Sequence, residues 1–73
     1  MLLTPMQQAI LHFIRNHIKE IGYPPSVAEI GEAVKLRSKS GVVHHLKALE
    51  DLGFLRRDST RARAMVVLPP PEQ

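Results

Sequence analysis

The residues of this chain able to do chemistry are four histidines, a set of serine and lysine side chains in the middle of the sequence, and four arginines that follow them. Metal binding is the first possibility they raise. His12 and His17 are five apart and His44 and His45 are adjacent, whereas helical zinc ligands need same-face spacing such as the i, i+4 pair of HExxH. With no cysteine to supply a thiolate or a disulfide, no metal site and no cofactor is expected. Ser40 and His44 stand one helical turn apart, as a nucleophile and its base would, but no carboxylate follows to orient the imidazole and no oxyanion site is evident. What remains is non-covalent recognition. Lys39, Ser40, Val43, His44 and Lys47 recur on one edge of a predicted helix. Their polar groups can hydrogen-bond base edges, and Val43 can touch a thymine methyl. Arg56, Arg57, Arg61 and Arg63 crowd onto a short ribbon, where their mutual repulsion is unfavourable without a polyanionic partner.

Charge is distributed to match. Residues 1–34 carry Arg15 and Lys19 against Glu20, Glu29 and Glu32, a net −1. Residues 35–63 carry Lys35, Arg37, Lys39, Lys47, Arg56, Arg57, Arg61 and Arg63 against Glu50, Asp51 and Asp58, a net +5. A positive field concentrated on one half of a small domain is the footprint of a phosphate-binding surface.

The elements that must hold these residues can be read from caps and periodicity. Thr4-Pro5-Met6-Gln7 combines an N-cap, proline at the first helical position and a capping-box glutamine. Ile10, Phe13, Ile14, Ile18 and Ile21 then form an apolar stripe on a first helix ending at Gly22. His17 lies on or beside that stripe, the place of a hydrogen-bonded packing histidine. Pro24-Pro25 keeps the chain extended. Ser26 and Glu29 repeat the capping box for a short second helix with Val27, Ile30 and Val34 inward. Lys35-Leu36-Arg37 makes a turn, and Ser38 caps a third helix whose buried edge is Val42, Leu46, Leu49 and Leu52. Gly53 ends it. Residues 54–58 and 64–68 read as two strands around an arginine-rich turn. The fold expected is mainly α with a small β-hairpin, a three-helix winged helix-turn-helix over residues 1–68. In that fold the third helix can enter a DNA major groove while the hairpin contacts the backbone. Residues 69–73, beginning Pro69-Pro70-Pro71, read as a proline-rich tail or the start of a linker.

Length excludes most alternatives. A core built from 73 residues can position side chains but hardly enclose a deep catalytic pocket. The N-terminus lacks the basic and apolar regions of a signal peptide, and no apolar run approaches spanning length. A cytoplasmic protein with no membrane partner and no small-molecule ligand is expected.

Several segments together carry a family resemblance. They are Thr4 with Gln7-Gln8, Gly22-Tyr23-Pro24-Pro25-Ser26 with Glu29-Ile30, Ser38, and His45-Leu46 with Ala48-Leu49-Glu50. Gly53-Phe54-Leu55-Arg56-Arg57-Asp58 and Arg63-Ala64 complete the set. From about Leu3 to Leu68 the chain resembles the N-terminal domain of LexA, the bacterial SOS repressor. The RRD after the third helix points to the actinobacterial and Gram-positive branch. The resemblance implies a repressor of DNA-damage genes, acting at the bacterial nucleoid, that binds palindromic operators in double-stranded DNA as a dimer. It places base contacts on Ser40, Gly41, Val43 and His44, backbone contacts near Ser38 and Lys39, and wing contacts at Arg57 and Arg63.

Two departures from the family stand out. Lys35 occupies a turn position that is commonly glycine, so it is either left-handed at a cost of about 1 kcal/mol or in a different turn. Ser59 and Ala62 replace common wing prolines, which implies a looser wing. LexA proteins continue into a Ser-Lys self-cleavage domain that supplies most of the dimerisation, and no such dyad lies within these residues. The chain itself is therefore expected to be no enzyme and, alone, a monomer, whether it is an excised domain or a stand-alone regulator. The rival from another class is a winged-helix protein-interaction module using Val43 and the hairpin.

Overall fold

The computed structural model describes residues 3–57 and 65–68. Its elements are α1 (Pro5–Ile21), α2 (Val27–Val34), α3 (Lys39–Asp51), β1 (Leu55–Arg57) and β2 (Met65–Val67). Both capping boxes form as the sequence predicts. The Thr4 hydroxyl accepts from the Gln7 amide at 3.1 Å while the Gln7 side chain accepts from the Thr4 amide, also at 3.1 Å. Ser26 and Glu29 repeat the exchange at 3.2 and 2.8 Å. Each box satisfies two of the amide donors that a helix start leaves without an intrahelical partner.

All three helices stop through the left-handed region. Gly22, at φ 100°, ends α1 and donates to the Ile18 carbonyl at 2.9 Å. α2 and α3 end in Schellman motifs. Leu36 donates to Gly31 and Lys35 to Glu32 in one, and Phe54 donates to Leu49 and Gly53 to Glu50 in the other. The left-handed residue is Gly53 after α3 but Lys35, at φ 62°, after α2. Of the two possibilities for the Lys35 turn, the left-handed one is adopted.

Packing follows the apolar pattern with three corrections. Ile10, Leu11 and Ile14 of α1, Ile30 of α2, Val42, Leu46 and Leu49 of α3, and Leu55 and Met65 of the hairpin make one buried cluster. Leu11 joins it as well: three residues before Ile14 and seven before Ile18, it borders the stripe, which is one position wider than predicted. Ile21, placed on the stripe, is instead 52% exposed: α1 ends there and Gly22 turns the chain away. Leu52 is the half-buried C-cap of α3 rather than part of its buried edge. At about 1.5–3 kcal/mol for each large aliphatic side chain taken out of water, the buried cluster is the main force aligning α3 on α1 and α2.

Gly31 lets α2 approach the start of α3. A Cβ there would lie 3.0 Å from the Leu36 carbonyl oxygen and 3.4 Å from Val42 Cγ2. The strands are antiparallel, pairing Leu55 with Val67, Arg56 with Val66 and Arg57 with Met65. At the end away from the turn each stops one residue short of the prediction, while residues 58 and 64 lie outside the described residues. Phe54 and Leu68, outside the strands, still join through a 3.0 Å bond from the Leu68 amide to the Phe54 carbonyl.

Candidate nucleic-acid interface

The N-terminal half of α3 combines a buried inner face with an outer edge free for a partner. Val42, Leu46 and Leu49 fix the rotation of the helix, so Lys39, Ser40, His44 and Lys47 are exposed and Gly41 and Val43 half-buried. This is the helical spacing needed to present one row of side chains to a groove. Ser38 caps the helix, its hydroxyl accepting from the Gly41 amide at 3.3 Å and lying 2.9 Å from the Ser40 hydroxyl. The hydrogen bond that Ser40 makes among the described residues is to Ser38. A hydroxyl has one hydrogen and two lone pairs, which leaves Ser40 capacity for a base edge.

The His44 ring meets that of His45 edge-on, with centroids 5.7 Å apart and planes at 70°. His45 Nδ1 is buried without a hydrogen-bond partner among the described residues. Gly41 contrasts with Gly31. A Cβ on Gly41 would meet nothing nearer than Ser38 Cβ at 3.9 Å, so packing among the described residues gives no reason for a residue that weakens a helix by up to about 1 kcal/mol relative to alanine.

The hairpin arginines divide by the two-residue period of a strand. Leu55 is buried, Arg56 exposed and Arg57 half-buried. Arg56 and its partner Val66 are exposed on one side, while Arg57 turns inward like Leu55. Arg57 Nε is buried 3.6 Å from Glu50 Oε1, within ion-pair range but too long for a hydrogen bond. Glu50 lies in the last turn of α3, which has no basic residue and whose dipole favours a cation. Arg57 supplies one from the strand. Arg61 and Arg63 lie outside the described residues, as does the turn that would carry them.

The other histidines are occupied in α1. His12 Nε2 accepts from Asn16 Nδ2 at 2.9 Å. His17 Nδ1 is 2.7 Å from the Tyr23 carbonyl oxygen, and its ring packs on Phe13 and Tyr23. Among the described residues no three histidine, aspartate or glutamate side chains gather as metal ligands would. No described helix is long and apolar enough to cross a membrane.

The sequence reading passed over Lys35 and Arg37 as contact residues. With Lys39 they line a notch between α2 and the start of α3, together with Ala28, Glu32 and Val42. The signal available was the run of three basic residues at alternate positions across the turn.

Three packed helices with an open polar edge on the third, followed by an antiparallel hairpin, define a winged helix-turn-helix domain. The family model described as LexA DNA binding domain matches residues 1–64, and the chain belongs to that family. It is 59% identical to the LexA repressor of Frankia alni, over 93% of this chain and 27% of that protein. The LexA repressor of Nocardioides sp. is 56% identical over 93% of this chain and 28% of its own length. That of Bacillus mycoides is 54% identical over 90% and 32%. The chain thus spans about 27 to 32% of the length of these curated relatives, whose sources include the actinobacterial and Gram-positive groups expected from the RRD segment.

Proposed function

We propose that this domain binds operator DNA by seating the N-terminal half of α3 in the major groove, and that it represses DNA-damage response genes in the bacterial cytoplasm. Ser40, Gly41, Val43 and His44 read base edges, Lys47 lies along the same edge, and Ser38 and Lys39 sit against the phosphate backbone. The hairpin flanks the groove, with Arg57, Arg61 and Arg63 as its backbone contacts. The observation that carries the reading is the outer edge of α3, where Lys39, Ser40, His44 and Lys47 are all exposed on a helix held rigidly from behind. Family membership supports it independently.

Two copies on a palindrome are part of the proposal. The domain alone is a monomer, and linking two half-site binders gains affinity by effective concentration, by about 10²–10⁴. The test is selection of bound sequences from random duplexes by the chain alone and by the chain fused to an unrelated dimeriser, followed by salt titration of the selected duplex. Recovery of a palindrome by the fusion, much weaker binding by the single domain and affinity falling steeply with salt are expected. A flat salt response with no sequence enrichment would overturn the proposal and favour a protein-interaction module. A stable dimer of the unfused chain in sedimentation would overturn its dimer half alone.

A further inference from the structure

Among the described residues Lys35 is the only non-glycine with positive φ. The same molecule closes the equivalent motif after α3 with Gly53 and ends α1 with Gly22. A side chain in the left-handed region is opposed by contact between its Cβ and the following carbonyl, a cost that glycine escapes. The backbone of the turn therefore gives no reason for lysine. Burial gives none either, because Lys35 is exposed. Its position does supply one. Lys35, Arg37 and Lys39 line a single notch in which Glu32 is the one acidic residue, a net +2 among the lining side chains. The notch reaches the start of α3 through Lys39 and Val42, the end of the helix whose outer edge carries Ser40.

We infer that this notch seats the DNA phosphate backbone at the edge of the groove entered by α3, and that Lys35 is a phosphate-contacting residue held in a strained conformation to reach it. The inference rests on the proposed DNA binding. Strain retained at an exposed residue within a charged concavity is the pattern expected where function opposes the preference of the fold. The contact is with phosphate, so it adds affinity on every duplex and carries no sequence information.

Three variants separate charge from strain. Lys35→Met keeps the Cβ and removes the charge, Lys35→Gly removes both, and Lys35→Arg keeps both. Affinity for the selected duplex and for a random duplex is measured by fluorescence anisotropy across a salt series, alongside Tm. Lys35→Met and Lys35→Gly are expected to weaken both duplexes alike, by about fivefold to tenfold at 0.1 M salt, and to lower the salt slope by about one unit. Lys35→Arg retains the parent slope. Lys35→Gly keeps or raises Tm, by up to about 5 °C, after the extra freedom of unfolded glycine is offset, so its weaker binding would not come from unfolding. Salt slopes equal to the parent's in the Met and Gly variants, while Ser40→Ala still loses discrimination, would overturn this inference and leave the proposed function standing. A parent chain without salt-dependent duplex binding would overturn both.

Discussion

The corner between α1 and α2 and the outer edge of α3 contain similar residue types used in opposite ways. At the corner, the His17 imidazole reaches the Tyr23 carbonyl and lies between two aromatic rings, and Ser26 and Glu29 satisfy one another's amides. Glu29 Oε1 also comes within 4.0 Å of His17 Nε2. On α3, Ser38 serves the cap, while Ser40, His44 and Lys47 are exposed on the outer row. The two glycines repeat the contrast. Gly31 is required by a neighbouring backbone oxygen, and Gly41 by nothing among the described residues. Polar groups whose hydrogen-bonding capacity is filled by the fold have little left for a partner, so the difference separates the frame of this domain from its recognition surface, with Ser38 and Arg57 at the boundary.

The largest effect that would break this comparison is on stability. Gly31→Ala places a methyl group 3.0 Å from a backbone oxygen that cannot rotate away, so a loss of about 2–3 kcal/mol is expected, toward the upper end of overpacking costs. Gly41→Ala is expected to act in the opposite direction, stabilising by up to about 1 kcal/mol through helix propensity, while DNA affinity falls because the added methyl faces the groove. Thermal unfolding and duplex titration of both variants check this. A stabilised Gly31→Ala, or a Gly41→Ala that binds as tightly as the parent, would remove the distinction between the two positions.

Next in size is the recognition edge itself. Ser40→Ala and His44→Ala should each reduce discrimination between the selected and random duplexes by about 1–2 kcal/mol, within the range for base contacts and below a strong bidentate pair. Unfolding should change little, since both residues are exposed. Equal losses on every duplex would reassign these side chains to phosphate contacts.

Helix limits, caps and the buried face of α3 were legible because they depend on short-range patterns. Thr4 and Gln7, or Ser26 and Glu29, are three residues apart, and one helical turn brings each pair together. Period two likewise accounts for Leu55 inward and Arg56 outward. What escaped was set by tertiary position. Ile21 continues the stripe in spacing but extends past the elements that cover it; Leu11 is the exception, since its spacing to Ile14 and Ile18 already puts it at the edge of the stripe. The hand of the Lys35 turn was open because lysine in this region is costly rather than forbidden. The outer edge of α3 was foreseen as a surface, whereas the notch beside it depends on how closely α2 crosses α3.

The smallest expected effect concerns Arg57, which belongs to both sides of the comparison. Its side chain is turned inward, only 16% exposed, with Nε 3.6 Å from Glu50, so it already serves the fold by offsetting an acidic group at the C-terminal end of α3. A partly exposed pair at that distance contributes about 0.2–1 kcal/mol. A double-mutant cycle over Arg57→Ala and Glu50→Ala should return a coupling of this size. The proposed phosphate contact adds a second signature: Arg57→Ala should lower the salt slope of duplex binding by about one unit, while Glu50→Ala, which frees the same guanidinium, should leave the slope intact and tighten binding slightly. If Arg57→Ala shows the coupling but the parent's salt slope, Arg57 is a residue of the frame alone. The backbone contacts proposed for the hairpin must then come from its other arginines.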